Sequence, residues 1–241
     1  MTDTDRAARR LPTSRATARE RRTSGQQVAD YLRQLIVDGH LRAGDRVPQD
    51  LVAAELELSR IPVREGLIAL ERDGWVTIQP NRGAYVNALD ADAVRDSYEL
   101  YGLVYGFALE RAMTRTGEEL VDRLAAIVKR LRSLDDADEF LAATMEFHNA
   151  VVDASHSPRV RVMLRSARGL VVGNFFAEVP GAIDVERKGA AAIVRALRRG
   201  DVPKSVTEYR RMLVRQGALV VDLFESRHLF AAGPPPVPNA G

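Results

Sequence analysis

The sequence predicts a mostly α protein: an N-terminal winged helix-turn-helix, three helices plus a β-hairpin, over residues 23–88, followed by an all-α bundle over residues 89–230. Three observations carry this. Apolar residues recur at three- and four-residue intervals through most of the chain, as one face of a helix requires. Strand-like alternation is confined to one stretch, Trp75 to Val86, divided by the turn segment Pro80 to Gly83. After Leu89 that alternation stops and helical spacing continues alone.

In the first helix Val28, Tyr31, Leu32, Leu35 and Ile36 follow Ser24 at helical spacing until Gly39 stops the run. A loop with Gly44 and Pro48 leads to a second, short helix carrying Leu51, Val52, Ala53, Leu56 and Leu58, for which Gln49 or Asp50 supplies a cap. Ser59 opens the third. There Val63, Leu67 and Leu70 share one face, while Arg60, Arg64, Glu65 and Glu71 lie elsewhere on the cylinder. Gly74 ends it, and the strands Trp75–Gln79 and Ala84–Val86 follow. Three helices and a ribbon in this order make a winged helix-turn-helix. Beyond Leu89, helices are expected at about 90–115, 117–134, 136–155, 158–178, 182–200 and 202–229, punctuated by Gly117, Pro158, Pro180 and Pro203.

Composition excludes several classes. With 46% hydrophobic residues in 241, the chain can bury real cores, so it is not a wholly disordered protein. Its apolar runs fall short of the roughly 20 residues of a membrane span. No signal segment follows Met1, and a cytoplasmic, nucleoid-associated protein without a membrane partner is expected. The absence of cysteine removes disulfides, thiolate zinc sites and cysteine nucleophiles. Net charge is only +2, but residues 1–22 concentrate seven arginines against Asp3, Asp5 and Glu20 and hold little to bury, which predicts a disordered basic arm. Residues 231–241, with Pro234, Pro235, Pro236 and Pro238, predict a stiff disordered tail.

Arg60 and Arg64 are one turn apart near the amino end of the third helix, on the side opposite Val63 and Leu67. A guanidinium there can make two hydrogen bonds to a guanine edge in the major groove or meet a phosphate. The plainer reading is a solvated arginine pair on an ordinary amphipathic helix, and the adjoining short helix and hairpin argue against it. Catalysis finds no support. His148 with Asp153 or Glu146 is accompanied by no serine elbow, phosphate loop or paired carboxylates, so no catalytic residue is expected.

Residues 24–87 resemble the winged helix-turn-helix of the GntR family of bacterial transcription regulators. Ser59–Glu65 is similar to its recognition-helix signature, Leu70–Gln79 continues the match, and Asn81, Arg82 and Gly83 resemble the wing tip. The remainder resembles the FCD ligand-binding domain of the FadR subfamily at Glu146, Phe147, His148 and Ser155–Val160, and six helices favour its VanR-like branch. The resemblance implies that Ser59, Arg60, Ile61 and Arg64 meet operator DNA in the major groove while Asn81, Arg82 and Gly83 enter the minor groove. Where many relatives place an arginine, this chain has Asp50.

The same resemblance implies a divalent ion held by an aspartate and three histidines. Here His148 matches one ligand, Thr144 replaces the aspartate, and the later two fall near Ala190 and Met212, so no metal and no other cofactor is expected. On the first helix of this domain Tyr101 and Tyr105 stand where relatives have an arginine and a glutamate. If they line an effector cavity rather than core, Tyr101, Tyr105, His148, Arg165 and Asn174 suit an uncharged or largely apolar organic effector. The expected function is therefore a homodimeric repressor or activator, ligand-responsive, on a pseudo-palindromic double-stranded operator. The alternatives are a DNA-binding dimer without an effector and a helical interaction protein.

Overall fold

A computed structural model describes residues 23–166 and 174–230, with the side chains of residues 165 and 166 outside that description. The expected basic arm and proline-rich tail also lie outside it.

The head is built from α1 (Ser24–Val37), α2 (Gln49–Glu55), α3 (Arg60–Arg72), β1 (Val76–Gln79) and β2 (Gly83–Val86). Thr23 and Gln26 close a reciprocal capping box at the start of α1, satisfying two backbone donors that a bare helix end leaves open. Val28, Leu32 and Ile36 of α1 are buried against Val63, Leu67 and Leu70 of α3. Gly66 permits this crossing, because a Cβ there would stand 2.7 Å from Val28 Cγ1. β1 and β2 pair antiparallel with Val76 opposite Val86 and Gln79 opposite Gly83.

Two details differ from expectation. No side chain caps α2, whose N-cap is Pro48; Asp50 instead turns to α3. The loop before α2 is not free either. Gly44 and Val47 donate backbone hydrogen bonds to Val86 and Ala84, and Arg46 bridges Tyr85, so this segment borders β2 and satisfies its outer edge.

The second body comprises α4 (Ala91–Leu131), α5 (Ala137–Ala154), α6 (Pro158–Ser166), α7 (Phe175–Glu178), α8 (Ala182–Leu197) and α9 (Val202–Ser226). Gly117 breaks α4 at φ 44°, ψ −113°, a conformation that suits glycine, and so marks the division expected between two helices. The single helix expected over 158–178 is not continuous: Asn174 caps a new short helix, α7. The helix count therefore assigns no branch within the subfamily. Helices α4 and α9 pack along each other, with Gly102 and Gly106 admitting Arg210 and Val206, and Gly217 admitting Tyr98.

The end of α9 returns to the head. Trp75, fully buried behind the hairpin, meets Phe224 edge to face at 6.4 Å between ring centroids. Leu89 bridges Phe230, and Arg227 reaches Asp38 at the end of α1 (3.6 Å) and Glu178 of α7 (3.2 Å).

Candidate nucleic-acid interface and buried polar cluster

At the start of α3, Ser59 is the N-cap in extended conformation and its hydroxyl makes no capping bond. Burial of Val63 and Leu67 fixes the helix against the head and turns Arg60, Ile61 and Arg64 outward. Ile61 is 72% exposed, and the Arg60 side chain 84%. Arg60 Nη2 lies 2.9 Å from Asp50 Oδ1 on α2. Arg33, by contrast, is a structural cation: it joins Asp30 and Asp73 at 2.8 Å each and is largely buried.

The hairpin tip presents Asn81 and Arg82 to solvent. Asn81 holds the left-handed conformation (φ 60°), which asparagine tolerates, and Gly83 follows at φ 105°. A Cβ at Gly83 would stand 2.9 Å from Arg46 Nε, so glycine lets the exposed Arg46 lie across the wing. Sequence reasoning missed Arg46. The step from exposed Arg46 to buried Val47 is its weak signal of a strand-like edge. It also missed that Asp50 pairs with Arg60, since no local pattern links residues on two different helices.

In the helical body, His148 of α5 shares a hydrogen with Tyr209 of α9 (Nδ1 to Oη 2.5 Å) and faces Glu186 of α8 (Nε2 to Oε1 3.5 Å). Gln216 donates to the other Glu186 oxygen at 2.5 Å. Tyr105 stacks on Tyr209 at 5.2 Å and tilts against His148 at 4.9 Å. Glu186 is fully buried. Loss of water penalises its carboxylate and pushes its pKa up to about 8, against the smaller opposing effect of the Gln216 bond. Burial likewise raises the Tyr209 hydroxyl, with Tyr105 and Glu186 adding to it. The result is a buried chain of polar groups among aromatic rings.

The expected pocket residues separate. Tyr105 and His148 come together. Tyr101 is buried with its ring edge-on to Tyr98 at 5.7 Å. Asn174 stands at the start of α7: its Oδ1 accepts from Phe176 N and its Nδ2 donates to Asp138. The Arg165 side chain lies outside the described residues. Glu186, Tyr209 and Gln216 were missed. Glu186 had a readable signal, a carboxylate inside the stripe Ala182, Glu186, Ala190, Ile193 that is otherwise apolar.

This donor set does not suit a divalent ion. Around His148 stand a single carboxyl, a phenol and an amide. Among the described residues no three His, Asp or Glu gather where they could hold a metal. The two positions aligned with later ligands, Ala190 and Met212, are buried in core, and a Cβ on neighbouring Gly189 would collide with Met212 at 2.4 Å. On the outer surface of the body, a groove of about 310 Å³ between α4 and α9 is lined by Glu99, Thr207, Arg210, Arg211 and Val214. Leu100, Leu103 and Phe107 of α4 are also exposed. No helix among the described residues is long and apolar enough to cross a membrane.

Comparison with known proteins agrees with this geometry. Residues 24–86 match the bacterial regulatory proteins of the gntR family, and residues 96–215 match the FCD domain. An HTH-type transcriptional regulator of Mycobacterium tuberculosis is 32% identical over 145 residues, 60% of this chain and 59% of that protein. The gluconate operon transcriptional repressor of Bacillus subtilis is 31% identical over 135 residues, 55% of each chain. The matched part thus spans under three fifths of these two relatives. Among solved structures, Lar of Listeria monocytogenes aligns with a TM-score of 0.56 at 20% identity, covering 81% of this chain and 95% of its own. E. coli McbR/YncC aligns with a TM-score of 0.56 at 18% identity, covering 84% and 99%. These two structures share the fold.

Proposed function

Since the chain belongs to the GntR family and carries an FCD domain behind its winged head, we propose that it is a transcriptional regulator and not an enzyme. It binds a pseudo-palindromic operator in double-stranded DNA as a homodimer, one α3 in each of two major grooves, within the cytoplasm at the nucleoid. The observation that carries the reading is the exposure of Arg60 and Arg64, one turn apart on a helix whose buried face anchors the head core. The hairpin beside it, with Arg46 and Arg82 at its tip, adds cations for phosphate or minor groove.

The helical body senses an organic effector without a metal. His148, Tyr209, Glu186, Gln216 and Tyr105 offer polar groups among aromatic rings and no arginine or lysine, which favours an uncharged or largely apolar molecule over a small dicarboxylate. Effector binding changes operator affinity by as much as it prefers one arrangement of the two heads over the other. A DNA-binding dimer without an effector is the competing reading, and thermal shift against a metabolite panel separates the two.

The test is direct. Duplexes selected by the purified protein from a randomised pool are titrated with wild type, Arg60→Ala and Arg64→Ala. Each substitution should cost about 1–3 kcal/mol of specific binding while non-specific binding changes less. Operator affinity unchanged in both variants removes α3 as the reading element.

A further inference from the structure

We propose that Asp50 is a specificity-determining residue that braces Arg60 for reading a guanine and withholds it from the phosphates. This rests on the DNA-reading role of α3 proposed above and adds what that role does not supply, a reason for a carboxylate on a surface that must approach a polyanion.

Three observations point this way. Asp50 Oδ1 holds Arg60 Nη2 at 2.9 Å, and both side chains are largely exposed, 75% and 84%. The pair therefore sits on the outer surface of α2 and α3 and contributes little to holding the head together. Second, the amino end of α3 has no side-chain cap and no acidic residue in its first turn. Arg60 is its first residue, so its charge meets the positive end of the helix dipole, and an anion supplied from α2 offsets that repulsion. Third, Arg64, one turn later on the same exposed side, is also exposed.

The chemistry follows from the guanidinium fork. Arginine carries five N–H donors in one plane. With Nη2 fixed by a carboxylate, the rest of the plane is held in one orientation and retains donors for the O6 and N7 acceptors of guanine. A free Arg60 could instead swing to a phosphate, where it would bind every sequence alike. Neutralising it locally with Asp50 weakens that sequence-independent attraction. Asp50 thus trades bulk affinity for discrimination.

The test uses the full chain and three variants: Asp50→Ala, Arg60→Ala and the double substitution. Base preferences come from selection on randomised duplexes, followed by titration of the selected duplex and its single-base variants at several salt concentrations. Wild type should prefer guanine at a position where Arg60→Ala loses that preference. Asp50→Ala should lower the same preference by at least fivefold within the roughly 5- to 150-fold span of a good bidentate contact. It should leave other positions alone, tighten binding to unrelated DNA, and steepen the salt dependence by about one phosphate contact. The double variant should discriminate no worse than Arg60→Ala alone.

If Asp50→Ala keeps the guanine preference within twofold, or alters a position that Arg60 does not read, the brace is refuted while the role of α3 stands. If Arg60→Ala changes no position, the brace is likewise refuted; if wild type selects no sequence, both readings fall.

Discussion

Replacing Glu186 by glutamine should change how stability depends on pH, by an amount the structure sets. Glu186 is fully buried, and its pKa is pushed from 4.5 to about 8 by loss of solvation. Below about pH 4.5 both folded and unfolded chains hold the proton, so the group makes no difference. Between 4.5 and 8 the unfolded chain releases it while the folded chain keeps it, and stability falls as pH rises. Above about 8 the folded chain ionises too and the loss levels off. At about 1.4 kcal/mol per unit, the loss is on the order of 5 kcal/mol. Glutamine has the same shape, accepts the Gln216 bond and never ionises. Urea denaturation of both proteins, at fixed protein concentration and one-unit steps from pH 5 to 9, isolates the buried cluster around Glu186, because titrations elsewhere in the chain cancel in the difference. The variant should gain on wild type steadily from pH 5 and reach a plateau near pH 8. A difference that stays flat within 1 kcal/mol across that range refutes the claim that this carboxyl is neutral in the fold.

Arg46→Ala should weaken binding alike to all duplexes and lower the salt slope by about one contact, as read by anisotropy titrations; a change confined to one base position contradicts its placement on the wing. Gly217→Ala should cost about 1–3 kcal/mol in urea denaturation, because the new methyl would stand 2.7 Å from Tyr98 Cβ where α4 crosses α9. Elemental analysis of protein purified without chelator or affinity tag should find no stoichiometric divalent ion, and one ion per chain would overturn the metal-free reading of the cluster around His148.

The head was largely legible because its signals are local. The stripe Val28, Leu32, Ile36, the stripe Val63, Leu67, Leu70 and the turn before Gly83 each declare themselves within a few residues, and burial follows them. Contacts across the chain were not. Arg46 on the wing and Asp50 on Arg60 depend on how loops and helices meet in space. In the body, helical spacing placed most helices within a few residues, but it carried no sign that Asn174 begins α7. Tyr101 and Tyr105 looked equivalent on one helix. Their neighbours made them different, Tyr98 for one and Tyr209 with His148 for the other.

The meeting of Trp75 with Phe224, and of Leu89 with Phe230, has a bearing on how the protein matures. The head precedes the body along the chain and holds its own apolar centre, yet the rings that shield its rear face belong to the far end of the body. A newly made head can thus acquire its shape early, while its seating on the body waits until α9 has been made. Truncations that stop short of residue 224 should uncover the indole and loosen the reading surface from its support, although the lost segment lies some 150 residues away along the chain.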